Sequence, residues 1–166
     1  MKNNKGYTLV ELMVVIAIIG VVSSMTMVGM KMSRSADAAY AANTLNSYMA
    51  SIRMNNMSKV NMQYLHIYKH KDSYYYSIDN KKNIDFSKLE NKIGNVDTAI
   101  FYQTSGESVI ANNNGISIGY NRAGECKIYN KSGTLYGDDL KSLTIAGPNK
   151  KTVIKVLPAI GKSYIK

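Results

Sequence analysis

"KGYTLVELMVVIAIIGVV", Lys5 to Val22, contains a contradiction. After Tyr7 nearly every side chain suits a hydrocarbon environment, yet Glu11 stands a few residues inside the run. A charged residue at the centre of a membrane helix costs roughly 2.5–3.5 kcal/mol on translocon scales, so a plain anchor gives Glu11 no purpose. The uncharged run Leu12–Met30 covers 19 residues, close to the roughly 20 that one bilayer crossing needs. A secretory signal has an apolar stretch of about 7–15 residues and a small-residue cleavage site. Lys2, Lys5 and the pair Ser23-Ser24 fit that pattern loosely, but the run is too long for it and the carboxylate is out of place.

The residues around Glu11 give it a purpose. Gly6-Tyr7-Thr8-Leu9-Val10-Glu11-Leu12 resembles the cleavage and methylation motif of type IV prepilins and type II secretion pseudopilins. The resemblance is close over about residues 1–35. It implies that prepilin peptidase cuts between Gly6 and Tyr7 and that the new amine of Tyr7 is N-methylated. Most relatives carry Phe at that position, and Tyr keeps the aromatic ring. It also implies that Glu11 is an assembly residue, meeting the Tyr7 amine of a neighbouring subunit. At about 4 Å and an effective dielectric near 20, such a pair attracts by roughly 4 kcal/mol. The alternative is a glutamate that reaches back to the headgroups from the membrane edge.

Further implications concern organisation. Residues 1–6 would be a cleaved cytoplasmic leader, and 7–32 a hydrophobic helix that spans the membrane and then enters a filament core. Residues 33–61 would continue the helix amphipathically, and 62–166 would form a β-rich head. Lys2 and Lys5 keep the leader cytoplasmic, because positive flanks stay inside. The head then lies outside the cytoplasmic membrane and ends on an extracellular pilus or pseudopilus.

Periodicity extends this reading. Leu45, Met49, Ile52 and Asn56 recur at spacings of three and four, a stripe that Tyr48 and Val60 widen and that can receive a globular domain. Tyr64–His70 alternates, with Leu65 and Ile67 on one face and Tyr64, His66 and Tyr68 on the other. Tyr74–Ile78 and Ala99–Tyr102 read as strands, and Ile84–Ile93 as a short helix or an irregular crossing. Ile116–Tyr120 and Cys126–Asn130 flank the hairpin signal Asn121-Arg122-Ala123-Gly124, while Leu143–Ala146 and Thr152–Leu157 flank Gly147-Pro148-Asn149-Lys150. The expected fold is α+β: a long N-terminal helix packed on an antiparallel β-sheet domain, pilin-like. The C-terminal segments "LTIAG" and "TVIKVLPAIGK" resemble H-type minor pseudopilins and related minor pilins.

Charge and composition narrow the function. The net charge is +10, and +9 remains beyond Met30. Such a balance attracts nucleic acid, anionic lipid or acidic partners without choosing among them; a solvated lysine-rich surface is the plainer reading. Lys69, Lys71, Lys81 and Lys82 surround Tyr74–Tyr76, the make-up of a single-strand binding surface; an exposed tyrosine-rich strand looks the same and is the plainer reading. His66 and His70 share a strand face about 13 Å apart, too far to hold one metal ion. Cys126 is the only cysteine, so the fold has no internal disulfide. It also lacks the two-cysteine loop near the C-terminus of many pilins, which favours a minor pilin or a pseudopilin. No phosphate loop, nucleotide fingerprint or catalytic constellation stands out; no cofactor and no enzymatic activity are expected. The partners are prepilin peptidase, other pilin or pseudopilin subunits and the cytoplasmic membrane. A minor pilin that binds DNA or an envelope partner is the alternative function.

Overall fold

The computed structural model describes residues 8–58, 61–87, 91–94, 97–110, 113–136, 138–148 and 150–166; within these, the side chains of 24–36, 107 and 109 lie outside the description. The chain divides into two compact units, Met1–Ser33 and Arg34–Lys166. One helix, α1 (Leu9–Ser58), runs through both, and ten strands follow it.

In the first unit α1 is apolar on every side. Leu9, Val10, Leu12, Met13, Val14, Val15, Ile16, Ile18, Ile19, Val21 and Val22 are all exposed. A helix that is hydrophobic all round belongs in a buried or lipid setting. Among the described residues no helix is long and apolar enough to cross a membrane. The apolar part whose side chains are described ends at Ser23, and the remainder of the run to Met30 lies outside it.

In the second unit α1 is one-sided. Ala38, Ala41, Ala42, Leu45, Met49, Ile52 and Asn56 are buried at helical spacing, while Tyr40 and Met54 are exposed. The alanines permit close approach at the start of this face, and larger side chains fill the space further on. Val60 lies outside the described residues.

The strands make two five-stranded antiparallel sheets. The first contains β1 (Tyr64–His70), β2 (Ser73–Asp79), β3 (Asn91–Ile93), β6 (Gly115–Tyr120) and β7 (Cys126–Asn130) in the order β3-β2-β1-β6-β7. The second contains β4 (Ala99–Gln103), β5 (Glu107–Val109), β8 (Ser142–Ala146), β9 (Lys151–Leu157) and β10 (Lys162–Ile165) in the order β10-β9-β8-β4-β5. The β6–β7 turn has Gly124 at φ 82° and a Gly124 N–H bond to the Asn121 carbonyl. The β8–β9 turn is closed by the Gly147 N–H on the Lys150 carbonyl. One buried cluster joins Leu45, Met49 and Ile52 of α1 with Leu65, Ile67, Ile116 and Ile118 of the first sheet and Ile100, Leu143, Ile145 and Ile154 of the second.

Both faces of β1 are covered. Leu65 and Ile67 face the common core, while Tyr64, His66 and Tyr68 are buried on the opposite face. Ile84 and Phe86 lie over that face: Phe86 packs edge-on against Tyr68 at 5.5 Å, and the Ile84 N–H bonds the Lys131 carbonyl. Close packing here needs Gly115, where a Cβ would come within 2.7 Å of Ile84 Cδ1. The described part of the Ile84–Ile93 stretch is irregular up to Ser87 and ends in β3, with no helix among the described residues.

Candidate functional site

Glu11 lies at the start of α1 in a reciprocal cap. Its Oε2 accepts the Thr8 backbone N–H at 2.9 Å and the Thr8 hydroxyl at 3.0 Å. The Glu11 N–H in turn donates to Thr8 Oγ1 at 3.3 Å, and the Leu12 N–H to the Thr8 carbonyl at 3.2 Å. This is a capping box, Thr-x-x-Glu, which satisfies N–H groups that a helix start leaves without partners. The carboxylate also sits at the positive end of the helix dipole. Thr8 is the residue that a reading centred on charge overlooks, although the spacing of Thr8 and Glu11 is itself the capping-box signature. The expected cleavage and methylation positions, Gly6 and Tyr7, lie outside the described residues.

The other candidates resolve into structural roles. His66 Nδ1 lies 2.6 Å from the Ser117 hydroxyl in the interior, and burial lowers its pKa. His70 is at the far end of the same strand, opposite Ser73. Among the described residues no three His, Cys, Asp or Glu side chains gather as metal ligands. Cys126 is buried, and that burial pushes its thiol pKa up to about 12, which removes the thiolate that reactivity requires.

The stretch 74–76 lies in a tyrosine-rich strand, as the plainer reading expects, but alternation buries two of its three rings. Tyr74 and Tyr76 point inward: the Tyr74 hydroxyl donates to the Ile110 carbonyl at 2.9 Å and the Tyr76 hydroxyl to Tyr48 Oη at 3.3 Å. Tyr75 alone is on the other face, stacked on Tyr68 at 6.1 Å. Lys69 lies over the Tyr74 ring and Lys82 over that of Tyr129. Two of the three tyrosines are therefore withdrawn from any nucleic acid.

Residues 1–27 match the family model for the prokaryotic N-terminal methylation motif. That motif is the signature of type IV prepilin-like proteins, which are structural subunits and not enzymes. The chain thus carries a prepilin-like N-terminus ahead of an α+β body. Neither a curated protein nor a solved structure matches it.

Proposed function

We propose that the chain is a minor structural subunit of a type IV pilus or a type II secretion-like pseudopilus. The observation that carries this reading is the methylation motif running directly into a helix segment that exposes apolar side chains on every side. Such a surface requires lipid or neighbouring helices around it. Prepilin peptidase removes Met1–Gly6 at the cytoplasmic face and methylates Tyr7. The helix over 7–32 spans the membrane, with the aid of the apolar residues up to Met30, and then packs among the helices of other pilin or pseudopilin subunits in the filament core. Residues 33–61 carry the head, 62–166, outside the membrane in a pilin-like arrangement; the burial of Leu45, Met49 and Ile52 in the same cluster as both sheets supports this. The single cysteine supports a minor pilin or a pseudopilin.

Glu11 then has two duties, capping its own helix and pairing with the Tyr7 amine of a neighbour. Gln at this position can still cap, so Glu11→Gln separates them. Intact mass of the membrane-extracted protein should correspond to a chain starting at Tyr7 with one added methyl group; retention of Met1–Gly6 in cells with active peptidase sinks the reading. Glu11→Gln should enter the membrane normally and be depleted from sheared filaments. Loss of one member of a buried pair costs about 3–5 kcal/mol, equivalent to about 100-fold or more in occupancy. Equal recovery of Glu11→Gln and wild type in filaments would reduce Glu11 to its capping role.

A further inference from the structure

The two sheets differ in what lies on their outer faces. Ile84 and Phe86 cover the first; the second presents a row of cations. Directly paired residues share a face, and the pairs Lys155–Tyr164, Leu157–Lys162 and Lys151–Ala146 lie opposite the face that buries Ile145, Ile154 and Val156. Lys151, Lys155, Lys162 and Lys166 are all exposed, and the Lys166 N–H bonds the Val153 carbonyl. Along the strand axis they fall in the order Lys151, Lys166, Lys155, Lys162, alternating between β9 and the end of β10. Each step is two residues, or about 6.6 Å. None of the four makes an ion pair among the described residues.

Tyr164 stands inside the row, beside Lys155, with 46% of its surface exposed. Its ring makes no contact with another ring among the described residues. We propose that this face, carried by β9 and β10, docks single-stranded nucleic acid: the lysines track successive phosphates and a base stacks on Tyr164. A regular step of cations suits a polyanion with regular charge spacing better than the scattered carboxylates of an acidic protein. An accessible aromatic face among the cations suits an unpaired base better than a duplex, whose bases are already stacked. The proposal does not rest on the filament reading; a subunit that is processed and assembled but fails to bind would lose only this property.

The test uses the full chain in neutral detergent, titrated into a labelled oligothymidylate and followed by anisotropy from about 50 to 200 mM salt. Each phosphate contact on a single strand contributes about −0.7 to the slope of log affinity against log salt, so the wild-type slope should be about −3. Lys155→Gln and Lys162→Gln should each flatten it by about 0.7. Tyr164→Ser should weaken binding about tenfold. Lys71→Gln and Lys92→Gln, exposed on the first sheet and its turn, should leave both quantities unchanged. The proposal is overturned by absence of binding at about 50 mM salt, by equal losses in the Lys71 and Lys92 variants, or by an unaltered Tyr164→Ser affinity. Competition by a DNA duplex or by polyglutamate as effective as that of unlabelled oligothymidylate would overturn it too.

Discussion

Asn56 shows how one amide holds three chain segments. Its Oδ1 accepts the Gln63 N–H at 2.8 Å, while Nδ2 donates to the Gln63 carbonyl at 2.8 Å and the Tyr120 carbonyl at 3.1 Å. The last turn of α1 is thereby tied to the entry of β1 and the end of β6. In the sequence Asn56 simply continues the Leu45, Met49, Ile52 stripe; the structure makes it a polar latch inside that stripe. Asn56→Leu keeps the apolar pattern but strands the Gln63 and Tyr120 groups, so stability should fall by about 3 kcal/mol in urea unfolding. An unchanged midpoint would mean that these groups find other partners. His66 gives a pH signature. Burial holds its pKa below the ordinary 6.5 against the opposing charge of Asp79, so the unfolded chain binds a proton that the folded chain refuses. Its contribution is fully present above about pH 6.5 and declines as pH falls below it. A comparison of Tm between about pH 8 and 5 should show a shallower acid decline in His66→Gln than in wild type. Cys126, buried and with its thiol pKa raised to about 12, should resist alkylation at neutral pH until denaturant is added.

At the scale of elements, alternation and turn chemistry made most strands legible. Tyr64–His70 and Cys126–Asn130 form strands over the same residues that the pattern marked, and both Gly-containing hairpins close where their turn residues lie. The strands that escaped notice are β3 and β5, of three residues each, and the four-residue β10. Three residues display barely one repeat of a two-residue period, so pairing partners alone define such strands. The β1–β2 turn carries a local conflict: Lys71 adopts φ 52°, a region where Asn is far more at ease than a long side chain. Lys71→Asn should therefore raise stability by about 0.5 kcal/mol, read as a higher denaturation midpoint with unaltered slope. A drop would show that the lysine stem contributes packing that outweighs its backbone conformation.

Across the whole head, the β9–β10 turn acts as a junction. The Pro158 carbonyl accepts the Cys126 N–H at 3.0 Å, and the Ile160 carbonyl accepts Arg53 Nε at 3.0 Å. The second sheet is thus bonded to the first and to the end of α1 through one short loop. Gly161 permits this approach, with φ 60° and a Cβ position only 1.8 Å from the Gly124 carbonyl oxygen. Gly161→Ala should cost more than about 2 kcal/mol, since backbone must move on both sides; Gly106→Ala, with open space around it, should stay within about 0.5 kcal/mol. Similar losses in the two variants, measured by thermal unfolding, would deny the junction its role. The sequence by itself determined the prepilin-like N-terminus, the helix stripe and most strands, because motif spacing and periodicity are local properties of the chain. Only the tertiary structure decided that Tyr74 and Tyr76 turn inward and that Asn56 is a latch. It alone decided, too, that Lys151, Lys155, Lys162 and Lys166 form one row. Each of these depends on which strands pair and which face is covered, and long-range contacts set that without leaving a period in the sequence.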